Sequence, residues 1–194
     1  MCFLKLLTTI IFMISKIILL ISLINMLHKK ILFFSFFFIS FNLLSQNISS
    51  QEIKNLAFEI IKESKNSVFV TIDSLGKPKS RIMDHHIINK GFDIFLVTNP
   101  FSRKVAHLRL NSSISINFQS SDGQNYVSIN GIGILIDDLN LKTKYWKNEW
   151  TPYYNNIETD CILIQIVPDS LELVSLSNNI TGDPKTWKPK TITF

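Results

Sequence analysis

The densest set of ligand-binding groups in the chain is Ser102-Arg103-Lys104, a hydroxyl and two cations just after the apolar run Phe95-Leu96-Val97-Thr98. That run reads as the end of a strand. Val105 and Leu108 then recur at helical spacing, so the triplet opens a short helix over 103–110. Free N–H groups at a helix start attract anions, and adjacent Arg, Lys and Ser side chains add charge and donors. The chemistry implied is phosphate binding; the alternative is an exposed helix cap with two solvated cations. Arg81 is a further cation, in the middle of a strand-like segment, where a charge needs a partner or an edge position. Period-two alternation puts Arg81 and Met83 on one face and Ile82 on the other. Arg81 reaches the same anion if its strand neighbours the one ending at Thr98.

Other groups are less directive. Asp84-His85-His86 invites a metal reading, but adjacent histidines on a strand point to opposite faces, so only Asp84 and His86 can converge. Ordinary sheet histidines are the better description, and no metal site is assigned. His107 lies apart, on the helix. The sequence holds no Gly-rich phosphate loop, no G-x-S-x-G elbow and no H-E-x-x-H, and no residue identifies itself as catalytic. Tyr145, Trp146, Trp150, Tyr153 and Tyr154 can stack on a planar ligand, or pack a core or a dimer contact. Cys161, in the run CILIQIV, reads as a small core residue.

The elements that position these groups follow from the periodicity. Ser49 and Glu52 form a capping box ahead of an amphipathic helix over 51–64, carried by Ile53, Leu56, Ala57, Ile60 and Ile61. Residues 67–73 are strand-like, 74–78 a turn, and 79–88 the return strand of a hairpin. A strand over 92–98 precedes the short helix. Strands over 113–119 and 126–136 follow, then a helix over 137–150 bearing Trp146 and Trp150. Strands over 160–168 and 171–176 and a Pro-bearing tail close the chain. About seven strands with hairpin connections and no βαβ alternation predict a mainly β fold, an antiparallel barrel with short peripheral helices.

Composition divides the chain. Its 194 residues carry a formal charge of +5. Yet residues 1–46 contain four lysines, no acid, no Gly or Pro, and eight of the 15 Phe. The remainder holds 16 basic and 15 acidic residues, so it is close to neutral and a nucleic-acid binder is excluded. With Cys2 in the leader and Cys161 alone in the domain, a disulfide framework and a cysteine-rich zinc site are excluded too. Residues 6–24 are almost wholly apolar. Residues 26–46 repeat the layout of a secretory signal: Lys29-Lys30, an apolar stretch over 31–44, and a polar exit. Either Met26 is the true start, or both segments form a membrane-anchoring hairpin. The expected organisation is a leader over 1–46, as signal peptide or anchor, and one domain over 47–194. The domain is then exported or tethered, with membrane contact only through the leader.

Four pieces occur in order: Gly76-x-Pro78-x-x-Arg81-x-Met83, Phe95-Leu96-Val97-Thr98, Ser102-Arg103-Lys104-Val105-x-x-Leu108, and Tyr126-Val127-Ser128-Ile129-x-Gly131. With them the domain resembles the pyridoxamine 5'-phosphate oxidase-like split-barrel flavoproteins, particularly their general stress protein subgroup. The tail Gly182-Asp183-Pro184-Lys185-x-Trp187-Lys188-Pro189 is similar to that subgroup's ending. The resemblance implies an FMN-binding split barrel of six to seven strands, usually a homodimer with FMN at the subunit interface. Arg81 and Ser102-Arg103-Lys104 would hold the FMN phosphate, and Ile82, Met83, Val97 and Thr98 would line the ribityl chain and ring.

The oxidases of that family place a flavin-contacting Gln in the strand where this chain has Tyr126 and Ser128. Their substrate-gripping Arg- and His-bearing segment is not evident near the C-terminus here. The expectation is therefore an FMN-dependent oxidoreductase on an unidentified small molecule, not a pyridoxamine phosphate oxidase. The alternative is a flavin- or haem-binding module of the cell envelope without turnover.

Overall fold

The computed structural model describes Lys16 and residues 19–30 and 48–194. The chain divides into two units, Met1–Asn47 and Ile48–Phe194. In the first, residues 19–30 are helical. Among the described residues no helix is long and apolar enough to cross a membrane. The apolar stretch over 31–44 and its polar exit lie outside the described residues.

The second unit opens with helix α1 (Ser50–Glu63), capped as its sequence predicts: Ser49 Oγ accepts from the Glu52 N–H, and the Glu52 carboxylate accepts from the Ser49 N–H. Such a cap contributes about 1 kcal/mol. Burial of Ile53, Ile60 and Ile61 contributes about 1.5–3 kcal/mol each, so packing rather than capping fixes this helix. Strands β1 (Ser67–Ile72) and β2 (Pro78–Met83) form a hairpin in which Phe69 faces Arg81. Its turn is tied by Asp73 Oδ1, which accepts from the Leu75 and Lys77 N–H groups, and Gly76 adopts φ +74°, a conformation glycine takes without steric cost.

Strands β3 (His86–Ile87), β4 (Ile94–Thr98), β5 (Ser113–Gln119), β6 (Asn125–Ile136), β7 (Ile162–Ser175) and β8 (Lys190–Thr193) complete one antiparallel sheet, with α2 (Arg103–Leu110) and α3 (Leu139–Lys144) beside it. The strand order is β2-β1-β5-β6-β7-β4-β3, with β8 also on β7. One edge of β7 is shared: residues 162–166 pair with β4 and residues 170–173 with β8. The curled sheet is a split barrel. Phe69, Ile116, Phe118, Val127, Ile129, Ile164 and Leu171 fill it, together with the inner face of α1. A second cluster on the outer side of β4 and β7 joins Phe95, Val97, Cys161 and Leu163 to Trp150.

The elements differ from the sequence expectation in four places. The return strand expected over 79–88 breaks into β2 and β3, because Asp84 turns out to meet Lys147 Nζ (2.7 Å) and Trp150 Nε1 (2.7 Å). The helix expected over 137–150 ends at Lys144, where Tyr145 stacks on Phe95 at 4.2 Å; a 3-10 turn, Asn148–Tyr153, follows. The two strands expected over 160–176 are one. Pro168 lacks the N–H of a regular ladder, and the register shifts between Asn130 and Gly131 to pass it. Strand β8, after Pro189, was not expected.

The two ends of the sheet, β2 and β3, are joined by Asp84 and His85 alone. His85 is buried, its Nε2 lies 2.8 Å from the Ile61 carbonyl of α1, and its ring meets Phe118 edge-on at 4.8 Å. Nε2 must then carry the proton as donor, leaving Nδ1 buried without a hydrogen-bond partner among the described residues. Burial holds the pKa of His85 below the ordinary imidazole value, outweighing the Ile61 hydrogen bond and the nearby Asp84 charge that favour protonation.

Two outcomes follow from this packing. A Cβ at residue 131 would collide with the Val167 carbonyl oxygen and come within 3.0 Å of Pro168 Cα. Gly131→Ala should therefore destabilise the domain by about 2–3 kcal/mol in urea unfolding, whereas Gly133→Ala, which meets only side chains, should cost less. His85 binds its proton more weakly folded than unfolded, so its contribution is fully present above the unfolded pKa of ~6.5 and is lost as pH falls below it. Unfolding free energy should decline from pH 7.5 to pH 5, and His85→Gln should flatten that decline; an equally steep slope in the variant would exclude His85 as its source.

Candidate functional site

Five expected site residues, Arg81, Thr98, Ser102, Arg103 and Lys104, meet where β1, β2, β4 and α2 come together. Arg81 projects from β2 on the inward side with Phe69, its guanidinium 5.9 Å from that ring centre, and its Nη1 donates to Thr71 Oγ1 at 2.8 Å. Thr98, the last residue of β4, is buried; its hydroxyl accepts from Lys104 Nζ at 2.8 Å and donates to Ser102 Oγ at 3.2 Å. Arg103 begins α2 beside them. The sequence makes the reach of Arg81 conditional on its strand neighbouring the one ending at Thr98; β2 and β4 are not hydrogen-bonded neighbours, and Arg81 instead lies within electrostatic reach of Arg103 and Lys104 of α2.

These cations raise one another's energy. Burial, and then the Arg103 charge, lower the pKa of Arg81. Burial, then Arg81 and Arg103, lower that of Lys104. The ion pairs among the described residues are Lys79–Asp73, Lys142–Asp137 and Lys147–Asp84, so none of the three has a carboxylate partner. The start of α2 is also left open. Ser102 is its N-cap, but its side chain makes no capping bond and no acid sits in the first turn. Unneutralised cations, hydroxyls and an uncapped helix start form a cradle for an anion.

The other expected residues lie around it. Ile82 is 65% exposed on the face opposite Arg81, and Met83 packs against the main core. Val97 faces the second cluster, opposite Thr98. Asp84 and His86 do not converge: Asp84 binds Lys147 and Trp150, and His86 Nδ1 lies 3.3 Å from the Tyr145 carbonyl oxygen. Among the described residues no cluster of His, Cys, Asp or Glu can hold a metal ion. Tyr145, Trp146, Trp150 and Tyr154 belong to the second core cluster, and Tyr153 is exposed. Cys161 is buried there and burial pushes its thiol pKa up.

Two members of the site escaped the sequence reading. His107 Nδ1 lies 2.9 Å from Thr71 Oγ1, which itself holds Arg81. A signal existed: His107 follows Lys104 by three residues and Arg103 by four, on one helix face, and Thr71 is an inward polar residue two places from Phe69.

The mutual repulsion has a measurable consequence. Inorganic phosphate should raise the thermal midpoint with concentration. Lys104→Gln should raise the midpoint in low-salt, phosphate-free buffer and shrink the phosphate response. A midpoint that ignores phosphate in the unsubstituted protein would contradict the cradle.

Comparison with known proteins fits this geometry. Residues 51–173 match the family model described as pyridoxamine 5'-phosphate oxidase like. No curated protein matches the chain. Among solved structures, general stress protein 26 from Bacillus anthracis is 20% identical with a TM-score of 0.59, over 73% of this chain and 98% of that one. A protein related to general stress protein 26 from Clostridium acetobutylicum is 18% identical with a TM-score of 0.63, over 75% and 97%. A NimC/NimA family protein from the same organism is 12% identical with a TM-score of 0.55, over 73% and 93%. The structural likeness carries the split-barrel fold. The family match covers most of the domain, from the first helix through the long strand β7, and by it the chain belongs to the pyridoxamine 5'-phosphate oxidase-like family.

Proposed function

We propose that the chain binds FMN and serves as a flavin-dependent oxidoreductase on a small molecule. The observation that carries this reading is the convergence of Arg81, Arg103 and Lys104 without an acidic partner among the described residues. The residues fit the group. A phosphate monoester supplies the negative charge those cations lack, and Ser102 Oγ and the open start of α2 supply neutral donors. Met83 and Thr98 extend the lining inward from the cradle, whereas the side chains of Ile82 and Val97 face the other side of their strands and leave only their backbone to line it. Bound FMN provides hydride or electron exchange at its ring. This chain's residues anchor the phosphate, orient the ring and limit water at the inner side of β2 and β4.

Residues 176–194 carry no Arg and no His, the residue types with which the oxidases of the family grip pyridoxamine phosphate, which supports a different substrate. A homodimer with FMN at its interface is part of the proposal. It is supported by apolar residues left exposed on the outer side of the sheet: Ile82, Val68, Ile132 and Ile134. Burying such a face against its own copy is the commonest symmetric solution. We place the domain outside the cytosol or at a membrane, through the apolar leader.

Purification in the presence of FMN followed by gel filtration should leave a flavin absorption band on the protein. A Soret band instead would favour haem, and no chromophore would favour a module without a cofactor. Arg103→Ala with Lys104→Ala should weaken FMN binding by at least about a hundredfold, since charge-assisted hydrogen bonds contribute roughly 1.5–3 kcal/mol each. Unchanged affinity in the double variant would overturn the assignment.

A further inference from the structure

We propose that Thr71 and His107 are positioning residues that hold the Arg81 guanidinium toward a bound phosphate, and so set the preference for a phosphorylated over an unphosphorylated flavin. The inference rests on the FMN reading above and concerns selectivity at that same site.

Arg81 stands on β2, an edge strand whose neighbouring side chains Lys79 and Ser80 are exposed. Arg103 and Lys104 repel it. A long cationic side chain so placed relaxes outward into water unless something holds it. Its hold is the Thr71 hydroxyl, 2.8 Å from Nη1, with the Phe69 ring beneath the guanidinium. Thr71 is fully buried, so its own hydroxyl cannot turn to solvent.

A threonine hydroxyl has one proton and two acceptor positions. Arg81 can only donate, and it occupies one acceptor position. His107 Nδ1, 2.9 Å away, closes the other side. With the imidazole proton on Nε2, the hydroxyl donates to Nδ1; with it on Nδ1, the ring donates into the second acceptor position. Both tautomers keep the Thr71 oxygen aimed at Arg81. The chain Arg81–Thr71–His107 therefore links β2, β1 and α2, and α2 is the helix that carries Arg103 and Lys104. One bond network sets the spacing of all three cations.

The test compares FMN with riboflavin, which lacks the phosphate, by flavin fluorescence titration of the full chain purified in detergent. The unsubstituted protein should bind FMN more tightly than riboflavin. Thr71→Val, which removes only the hydroxyl at near-constant volume, should reduce that ratio by roughly three- to tenfold through loss of FMN affinity, in the range of one hydrogen bond. Riboflavin affinity should not change. Thr71→Ser should restore the ratio. His107→Leu should lower it in the same sense and His107→Asn, which can still bond the hydroxyl, should retain most of it. His107 is on a half-exposed helix position, so its variants keep the test alive if Thr71→Val does not fold. A Thr71→Val protein with the full ratio, or one that loses riboflavin and FMN alike, overturns the positioning role. An unsubstituted protein that does not discriminate the two flavins overturns the phosphate site itself, and the inference with it.

Discussion

The constraint on which the domain depends is the closure of its sheet through two residues. Seven strands lie on the path from β2 to β3. Laid flat at about 4.8 Å per strand, the ends would be roughly 29 Å apart. Met83 and His86 are three residues apart in the chain, and such a segment spans at most about 11 Å. The sheet has to curl, and its curl is locked where Asp84 meets Lys147 and Trp150 and where His85 reaches back to α1. Only in a curled sheet does β2 bring Arg81 up to the end of β4, five strands along the path.

That convergence is electrostatically costly in the absence of an anion, which gives the charge of the chain its meaning. The overall +5 reflects four leader lysines, and the domain itself is nearly neutral. The domain has acids to spare for cations elsewhere: Asp73 takes Lys79, Asp137 takes the buried Lys142, Asp84 takes Lys147. None is spent on Arg81, Arg103 or Lys104. A nearly neutral domain that sets three cations close enough to act on one another, none of them in an ion pair among the described residues, has concentrated positive potential in one place.

Much of this was legible in the sequence because it is local. The capping box, the hairpin turn, the inward Val105 and Leu108 of α2 and the alternation that pairs Arg81 with Met83 all follow from spacing within a few residues. What was not legible depends on distant partners. The break at Asp84 is caused by residues more than sixty positions away. The end of α3 is set by Phe95 beneath Tyr145, and the continuity of β7 past Pro168 by a compensating shift in β6. The Thr71–His107 contact joins a strand to a helix 36 residues later, which no periodicity reveals.

The two longer helices of the domain show how local stability is distributed. Helix α1 satisfies its first N–H groups with Ser49 and Glu52 and carries an acid in its first turn. Helix α2 begins with a serine too, yet that serine makes no cap, its hydroxyl accepts from Thr98 instead, and its first turn holds Arg103 and Lys104 where the helix dipole favours acids. The same chain that optimises one helix start leaves the other unfavourable. Next to it stand a mid-strand arginine and a lysine, both with depressed pKa values. Departures from local preference gathered at one point are the mark of a functional site rather than of loose packing, and each of them is relieved by the same event, the arrival of an anion.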